Sequence, residues 1–373
     1  MVNTQTNKVK EPLFHVVKRN SIPAWKSILI RICGLVLGFA LSGLLVTILT
    51  GFSPFALYKS LFEGNFGQEI RVWKMLQETA LLLGIALALL PAFKMKFWNL
   101  GADGQVLMGA LVTAGIMFKL GPNMNSVVVN ILMIVCSMAA GIIWAVIPAL
   151  FKAKWKTNES LFTLMMNYIA TGITAFMINK WATNGSATMG TIKYAWLPEF
   201  VDRSFLTIVV VAILTLSMFV YLKYSKHGYE LTVVGESENT AKYVGISVKK
   251  VVIRTLVLSG AICGIIGLLL VGSINHTVSK TIVDGRGFTA VLVTWLGNFN
   301  PLYMVLTAFL ISFLKSGSSN VVSDFSLNNS AISSIITGIV IFCVIGCEFF
   351  IRYKVKFSAK KKQGADISKK EEK

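Results

Sequence analysis

Charge is what this sequence has least of. Asp, Glu, Lys and Arg make up 14% of its 373 residues, and apolar residues make up 54%. An ordinary soluble domain is about one quarter charged. So few charges cannot coat a water-facing surface, which argues against a soluble enzyme or a nucleic-acid binder. Acids are scarcer than bases, 17 against 36, for a net charge of +19. On a soluble protein that balance would suggest a polyanion partner. Here the bases mostly flank apolar runs, where Lys and Arg set membrane topology.

Histidine is also sparse. His15, His227 and His276 lie far apart, which argues against a histidine-based catalytic or metal cluster. No HExxH, GxSxG or GxxxxGK[ST] is present, so the chain has no visible means of hydrolysing ATP by itself. The five cysteines, Cys33, Cys136, Cys263, Cys343 and Cys347, all sit inside apolar runs without a CxxC. They read as small packing residues and imply no disulfide framework.

What is abundant is long apolar runs. A helix crossing the hydrocarbon layer needs about 20 apolar residues. Candidates are Ile28–Thr50, Met75–Phe93, Trp98–Phe118, Val127–Phe151, Leu161–Met177, Phe205–Leu222, Val251–Gly272 and Ile332–Ile351. The first is too long for a signal-peptide core and reads as a retained span. A further stretch, 287–315, is interrupted by Asn298-Phe299-Asn300-Pro301. The expected fold is an all-α integral membrane protein, a polytopic helical bundle of about 8–10 transmembrane helices with a broken or re-entrant pair.

Basic residues crowd the 1–27 tail, the 353–373 tail and the loops at 94–96, 152–156 and 223–254. The positive-inside rule then places both termini in the cytoplasm. That parity requires the stretch 287–315 to enter and return, giving eight full crossings and two short ones. The expected organisation is a tail at 1–27, a membrane domain at 28–352 with a cytoplasmic loop at 223–250, and a basic tail at 353–373. Residues 76–172 and 251–342 share a rhythm and start from opposite faces in this threading, which suggests an inverted repeat.

Polar groups within the spans are the candidates for chemistry, since they are expensive at lipid depth unless they face a cavity or a partner. Phe97-Trp98-Asn99-Leu100-Gly101-Ala102-Asp103-Gly104-Gln105 opens the third span. It is either a bent helix start turned toward a polar solute or an interfacial cap with Trp98 as anchor. Ser160, Thr163, Asn167, Thr171 and Thr174 form one stripe on the fifth span; cavity lining and interhelical hydrogen bonding both fit it. Ser330, Ser333, Ser334 and Thr337 form a similar stripe on the last.

In the long loop, Glu238–Val244 is a short helix with Ser237 as its N-cap and Gly245 as its C-cap. It is either a docking knob for a partner's groove or a solvated connector. Gly260/Gly264 and Gly34/Gly38 are close-packing pairs. Asp284-Gly285-Arg286-Gly287-Phe288 leads into the broken stretch, where Thr294, Trp295, Asn298 and Asn300 could reach a central cavity, and Trp295 could equally be a packing aromatic.

These residues resemble, in order, the motifs of the ABC-transporter permeases for nucleosides and simple sugars. Asn99–Gln105 resembles N-[IL]-G-x-[ED]-G-Q. Asn158-Glu159-Ser160 with Leu164–Ala170 resembles N-E-x-x-x-x-L-M-x-N-Y-I-A. Gly235–Asn239 with Ala241–Ile246 resembles the cytoplasmic G-x-N-x-x-A-A-x-Y-x-G-I loop. Ser259-Gly260-Ala261, Gly285–Phe288 and Leu296–Pro301 follow in the family's order. The G-Q ending is similar to the longer permease of nucleoside uptake pairs. Asp103 stands where Glu is commoner, Trp98 where a small or apolar residue is usual, and Thr240 where Ala is usual.

The resemblance implies a multi-pass permease subunit of the bacterial cell membrane that is not itself an enzyme. Its implied partners are a second similar permease, a cytoplasmic ABC ATPase that holds ATP and Mg, and an extracytoplasmic substrate-binding protein, either a lipoprotein or a periplasmic protein. No cofactor is implied on this chain, and no nucleic acid. The substrate path would draw on Trp98, Asn99, Asp103, Gln105, Thr163, Asn167, Thr171, Thr294, Trp295, Asn298 and Asn300. ATPase coupling would draw on Gly228, Glu236, Ser237, Asn239, Ala241, Tyr243 and Gly245. The solute would be a nucleoside; a simple sugar is the alternative. An ion-coupled transporter resting on Glu78 or Asp103 is a more distant one.

Overall fold

A computed structural model describes residues 14–19, 23–182, 189–200, 202–325 and 331–357. In chain order the elements begin with β1 (Phe14–Lys18), α1 (Ala24–Thr50), α2 (Pro54–Phe66), α3 (Glu69–Lys94), α4 (Ala102–Leu120) and α5 (Ser126–Trp155). There follow α6 (Glu159–Trp181), α7 (Arg203–Tyr224), α8 (Lys226–Glu236), α9 (Glu238–Tyr243) and α10 (Val248–Leu269), which continues as a π-helical turn, Leu270–Asn275. The last are α11 (Arg286–Leu296), α12 (Pro301–Asp324), α13 (Ala331–Arg352) and β2 (Tyr353–Phe357). Among the described residues, nine helices are long and apolar enough to cross a membrane. The chain is a multi-pass, all-α membrane protein.

Two compact units are distinguished. One comprises Met1–Pro54 with Ser334–Lys373, the other Phe55–Ser333. In the first, the expected bare tails instead pair: β1 and β2 run antiparallel, with Val16 opposite Val355. A side chain at Gly34 would meet Cys347, and one at Gly38 would meet Val340 and Cys343. The small-residue pair thus belongs with Cys343 and Cys347 to one seam between α1 and α13. Arg31 Nε meets Glu348 Oε1 at 2.7 Å. Ser330, and the basic residues at 1–13 and beyond 357, lie outside the described residues.

The second unit is built around α3, in which every residue from Thr79 to Phe93 is buried. A helix apolar on all sides can rest only inside a bundle. It packs against α7, α10, α11 and α12, while α10 also packs against α4 and α5. Glycines permit the second seam: side chains at Gly109, Gly141, Gly260 and Gly264 would each collide with backbone across the interface. Exchanging α3 with α10, α4 with α11, and α5 with α12 maps α3–α11 onto α10–α4, α3–α12 onto α10–α5 and α4–α5 onto α11–α12, all of them observed packings.

The broken stretch differs from the expected pair of short segments. α11 has 11 residues, or about 16 Å at 1.5 Å per residue, half a hydrocarbon layer. Its partner α12 is full length at 24 residues. The polar run 316–324, which has no membrane-span pattern, stays helical because α2 covers it. Gly317 lies against Leu61 and Asn65, and Asn320 Nδ2 donates to the Ser60 carbonyl at 3.1 Å. Neither α2 nor α8 was apparent as a separate helix in the sequence, since both are short and of mixed polarity.

Candidate functional site

Two consecutive helices, α3 and α4, do not join by a simple turn. Residues 97–101 form a non-helical elbow between them. Such backbone needs partners from the protein wherever water is absent, and α6 supplies them. Thr163 Oγ1 accepts from the Leu100 amide at 3.1 Å. Asn167 spans the break: its Nδ2 donates to the Leu100 carbonyl at 2.8 Å and its Oδ1 accepts from the Gly104 amide at 2.8 Å. Asn99 Oδ1 accepts from the Gly101 amide at 3.0 Å and from Gln105 Nε2 at 3.3 Å, while its Nδ2 donates to Ser259 Oγ at 3.3 Å. Thr171 Oγ1 donates to the Asn167 carbonyl at 2.9 Å. Asn99, Gln105 and Thr163 are fully enclosed, and Asn167 nearly so.

Asp103 sits in the first turn of α4, and its Oδ1 accepts from the Gly287 amide at 2.7 Å. Gly287 is in the first turn of α11. One carboxylate therefore lies between two helix N-termini, where the positive ends of both macrodipoles favour it. The glycine is required, because a Cβ there would crowd the Asp103 carboxylate. Thr294 is buried and donates to the Ala290 carbonyl at 2.8 Å and to the Ala86 carbonyl of α3 at 3.3 Å. Asn300 is the N-cap of α12, accepting from the Leu302 amide at 3.0 Å. Asn298 occupies the turn between α11 and α12 at φ 50°.

Two aromatic path candidates keep open faces. Trp98 and Trp295 are 42% and 39% exposed. Their rings stack with centroids 5.5 Å apart at 24°, and Trp295 also meets Phe299 edge-on at 5.7 Å. The elbow thus presents a two-tryptophan platform beside its hydrogen-bonded core.

The long loop is more structured than a lone capped helix. Ser225 caps α8 by accepting from the Gly228 amide at 3.0 Å. Ser237 ends α8 and caps α9, accepting from the Thr240 amide at 3.3 Å. Ala241 is buried beneath α9, and Tyr243 is 93% exposed. Gly245 adopts φ +81° with open space around it, the left-handed stop that glycine favours. Glu236 and Asn239 lie on α8 and α9. Glu230 accepts from Arg254 Nη2 at 2.7 Å, and that hydrogen bond holds its carboxyl below the usual range. Gly235 is decisive, because a Cβ there would collide with the Lys94 carbonyl and Met95. The loop helix therefore touches backbone that leads directly into the elbow. A cleft of about 210 Å³ between Lys96, Phe97, Lys152, Glu159 and the α8–α9 corner marks the same junction.

A third feature was not singled out from the sequence. A cavity of about 370 Å³ opens between the N-terminal half of α3 and the C-terminal half of α12. Arg286 grips Glu78 in its wall, with Nη2 at 2.7 and 2.8 Å from the two carboxylate oxygens. Lys315 Nζ is 2.6 Å from Asp284 Oδ2. The available signal was the helical spacing of Ser312, Ser316, Ser319 and Ser323. Among the described residues, no group of three or more His, Cys, Asp or Glu could hold a metal ion.

Comparison with known proteins agrees with this architecture. The family described as "Branched-chain amino acid transport system / permease component" matches residues 72–345. The guanosine ABC transporter permease protein NupP of Bacillus subtilis is 29% identical, over 91% of this chain and 98% of its own. The nucleoside ABC transporter permease protein NupB of Lactococcus lactis subsp. cremoris is 27% identical, over 80% of this chain and 86% of its own. The glucose ABC transporter permease protein TsgB13 of Haloferax volcanii is 25% identical over 90% of this chain and 92% of its own. No solved structure matches the chain. The chain belongs to this permease family.

Proposed function

We propose that this family member is one membrane-spanning half of an ATP-driven importer and that its solute is a nucleoside. The observation that carries the reading is the contact of Gly235 with Lys94 and Met95. It gives a force applied to the cytoplasmic loop a direct route to the elbow. An ABC ATPase holding ATP and Mg would dock on α9, where Tyr243 projects, and push α8. The push reaches 94–95, and the elbow, pinned to α6 by Thr163 and Asn167, lets α4 tilt against α3. A second similar permease and an extracytoplasmic substrate-binding lipoprotein complete the importer in a bacterial cell membrane. Pairing of β1 with β2 supports both tails lying on one face, here the cytoplasm.

In this reading the enclosed amides and hydroxyls, Asn99, Gln105, Thr163, Asn167, Thr171 and Thr294, hold the path's shape. Asp103, Asn298 and Asn300 fix where its broken helices begin and turn. The nucleobase meets the Trp98–Trp295 platform, since aromatic faces reward a planar ring more than a pentose. The names of the two relatives transporting guanosine and nucleosides support that choice. The glucose-named relative keeps a hexose as the second reading. Ion coupling is disfavoured, because Glu78 is gripped by Arg286 and Asp103 by the Gly287 amide.

The test is uptake of radiolabelled guanosine, adenosine and uridine in a strain deleted for this chain, with free base, ribose and glucose as competitors. Lost nucleoside uptake, restored by the gene and competed by nucleoside but not by glucose, is expected. Unchanged uptake of every nucleoside in the deletion strain would overturn the assignment.

A further inference from the structure

We propose that the cavity between α3 and α12 is a binding site for a phosphate group carried on a small polar body. The site goes beyond nucleoside transport, since a nucleoside has no phosphate. Its volume of about 370 Å³ falls within the range of small-ligand pockets. Its wall contains one aliphatic side chain, Leu82, and no aromatic ring, so it offers a nucleobase nothing to stack on.

The charges decide which ligand fits. Four cations line the cavity against two carboxylates. Arg286 is held by Glu78 and Lys315 by Asp284, at 2.7 and 2.6 Å. Two cations remain, Arg71 and Lys74, three residues apart and therefore on one face of α3. Among the described residues Arg71 Nη1 bonds only neutral acceptors, the Glu63 carbonyl at 3.2 Å and Asn320 Oδ1 at 3.0 Å. Lys74 is exposed, with no hydrogen bond or ion pair among the described residues. Asp324 does not line the cavity; its carboxylate accepts from Asn320 Nδ2 at 2.8 Å and from Ser60 Oγ at 2.6 Å.

The opposite wall supplies hydroxyls. Ser312, Ser316, Ser319 and Ser323 of α12 all line the cavity, and intervals of four, three and four put them on one helical face. Ser319 already donates to the Lys315 carbonyl at 2.9 Å; the Arg71 guanidinium, the exposed Lys74 ammonium and the other serine hydroxyls match the needs of a phosphate oxygen cluster. The same chemistry occurs in an anionic lipid headgroup and in a soluble phosphate ester.

The experiment uses the full-length chain purified from membranes with the subunits that accompany it. Orthophosphate and glycerol phosphate binding are measured by equilibrium dialysis. Retained phosphatidylglycerol, against phosphatidylcholine, is measured by native mass spectrometry. Lys74→Gln and Arg71→Gln are each expected to weaken binding at least fivefold. Lys74 makes no contact whose loss would unfold the chain, so its variant keeps the test valid where Arg71→Gln proves unstable. Binding of the soluble esters without lipid retention assigns the site to a free phosphate; selective phosphatidylglycerol retention assigns it to a headgroup. No binding by any probe, or binding untouched by Lys74→Gln, overturns the proposal. Uptake of nucleosides is a separate readout, so failure here leaves the transport reading standing.

Discussion

Asn167 shows how one side chain can be read two ways from sequence and one way from geometry. An amide at mid-span can face a solute or a backbone break, and both choices give the same residue type. Its actual partners, Leu100 and Gly104, lie 67 and 63 positions away, a distance no local pattern encodes. Asn167→Leu leaves one carbonyl and one amide without partners in a dry place. Each orphan costs about 1–3 kcal/mol in water-soluble proteins, and membrane hydrogen bonds average nearer ~0.6, so a loss of about 2 kcal/mol is expected. It should appear as a lower melting temperature of the purified protein, with transport falling in step. Normal melting with abolished uptake would instead make Asn167 a solute contact. His276 makes a second residue-scale case. It is buried, stacked on Trp196 at 4.0 Å, and neither ring nitrogen has a hydrogen-bond partner among the described residues. His276→Phe keeps the stack and removes two buried polar atoms, so the purified protein should melt at a higher temperature. A lower melting temperature would show that the imidazole nitrogens are satisfied in the folded chain.

At the scale of elements, hydropathy located the long helices well because lipid exposure demands an apolar surface, and helical periodicity is not even needed. It failed where helices are held by neighbours. The stretch 316–324 looks like a loop, and becomes the second half of α12 only through Ser60, Leu61 and Asn65 of α2. The capped helix α9 was legible because Ser237 and Gly245 are local stop signals, whereas α8, directly before it, has no such contrast along its length. The two glycines at this corner do different things. Gly245 is there for its left-handed backbone, in open space; valine costs about 1–2 kcal/mol at such a position and meets nothing. Gly235 is there for close approach, and valine would push α8 off Lys94 and Met95. Gly235→Val should therefore leave ATPase activity in the assembled complex largely intact while reducing transport at least tenfold. Gly245→Val should loosen α9 and weaken ATPase attachment, reducing both activities together. Paired assays of ATP hydrolysis and uptake in proteoliposomes separate the two. Equal loss of both activities in the Gly235 variant would remove α8 from the coupling route.

At the scale of the whole molecule the question is parity. β1 leads into α1 and β2 follows α13, so their pairing returns both tails to one side. Among the described residues nine helices are long and apolar enough to span, and nine crossings alone would leave the tails on opposite faces. An even count would need a tenth crossing, and among the described residues we assign it to the segment 276–296, mostly turns over 280–285 and helical beyond them as α11. It corresponds to the elbow and α4 in the exchange that relates α3 to α10. The two broken crossings meet where Asp103 accepts from Gly287. Sequence could pose this parity problem, through the basic tails, and could see the break at Asn298–Pro301. It could not see that one arm is helical over 24 residues and the other over only 11, because arm length is decided by burial against α2 and α3. Single cysteines test the threading in a background with Cys33, Cys136, Cys263, Cys343 and Cys347 replaced by alanine. Lys96→Cys and Tyr243→Cys occupy exposed positions on the coupling side, and Lys74→Cys and Lys193→Cys exposed positions at the other end of the spans. A membrane-impermeant maleimide should label the second pair in intact cells and the first pair only in inverted vesicles. Labelling of Lys96→Cys and Lys74→Cys from the same side would mean that α3 does not cross, and the tenth crossing would have to be sought elsewhere.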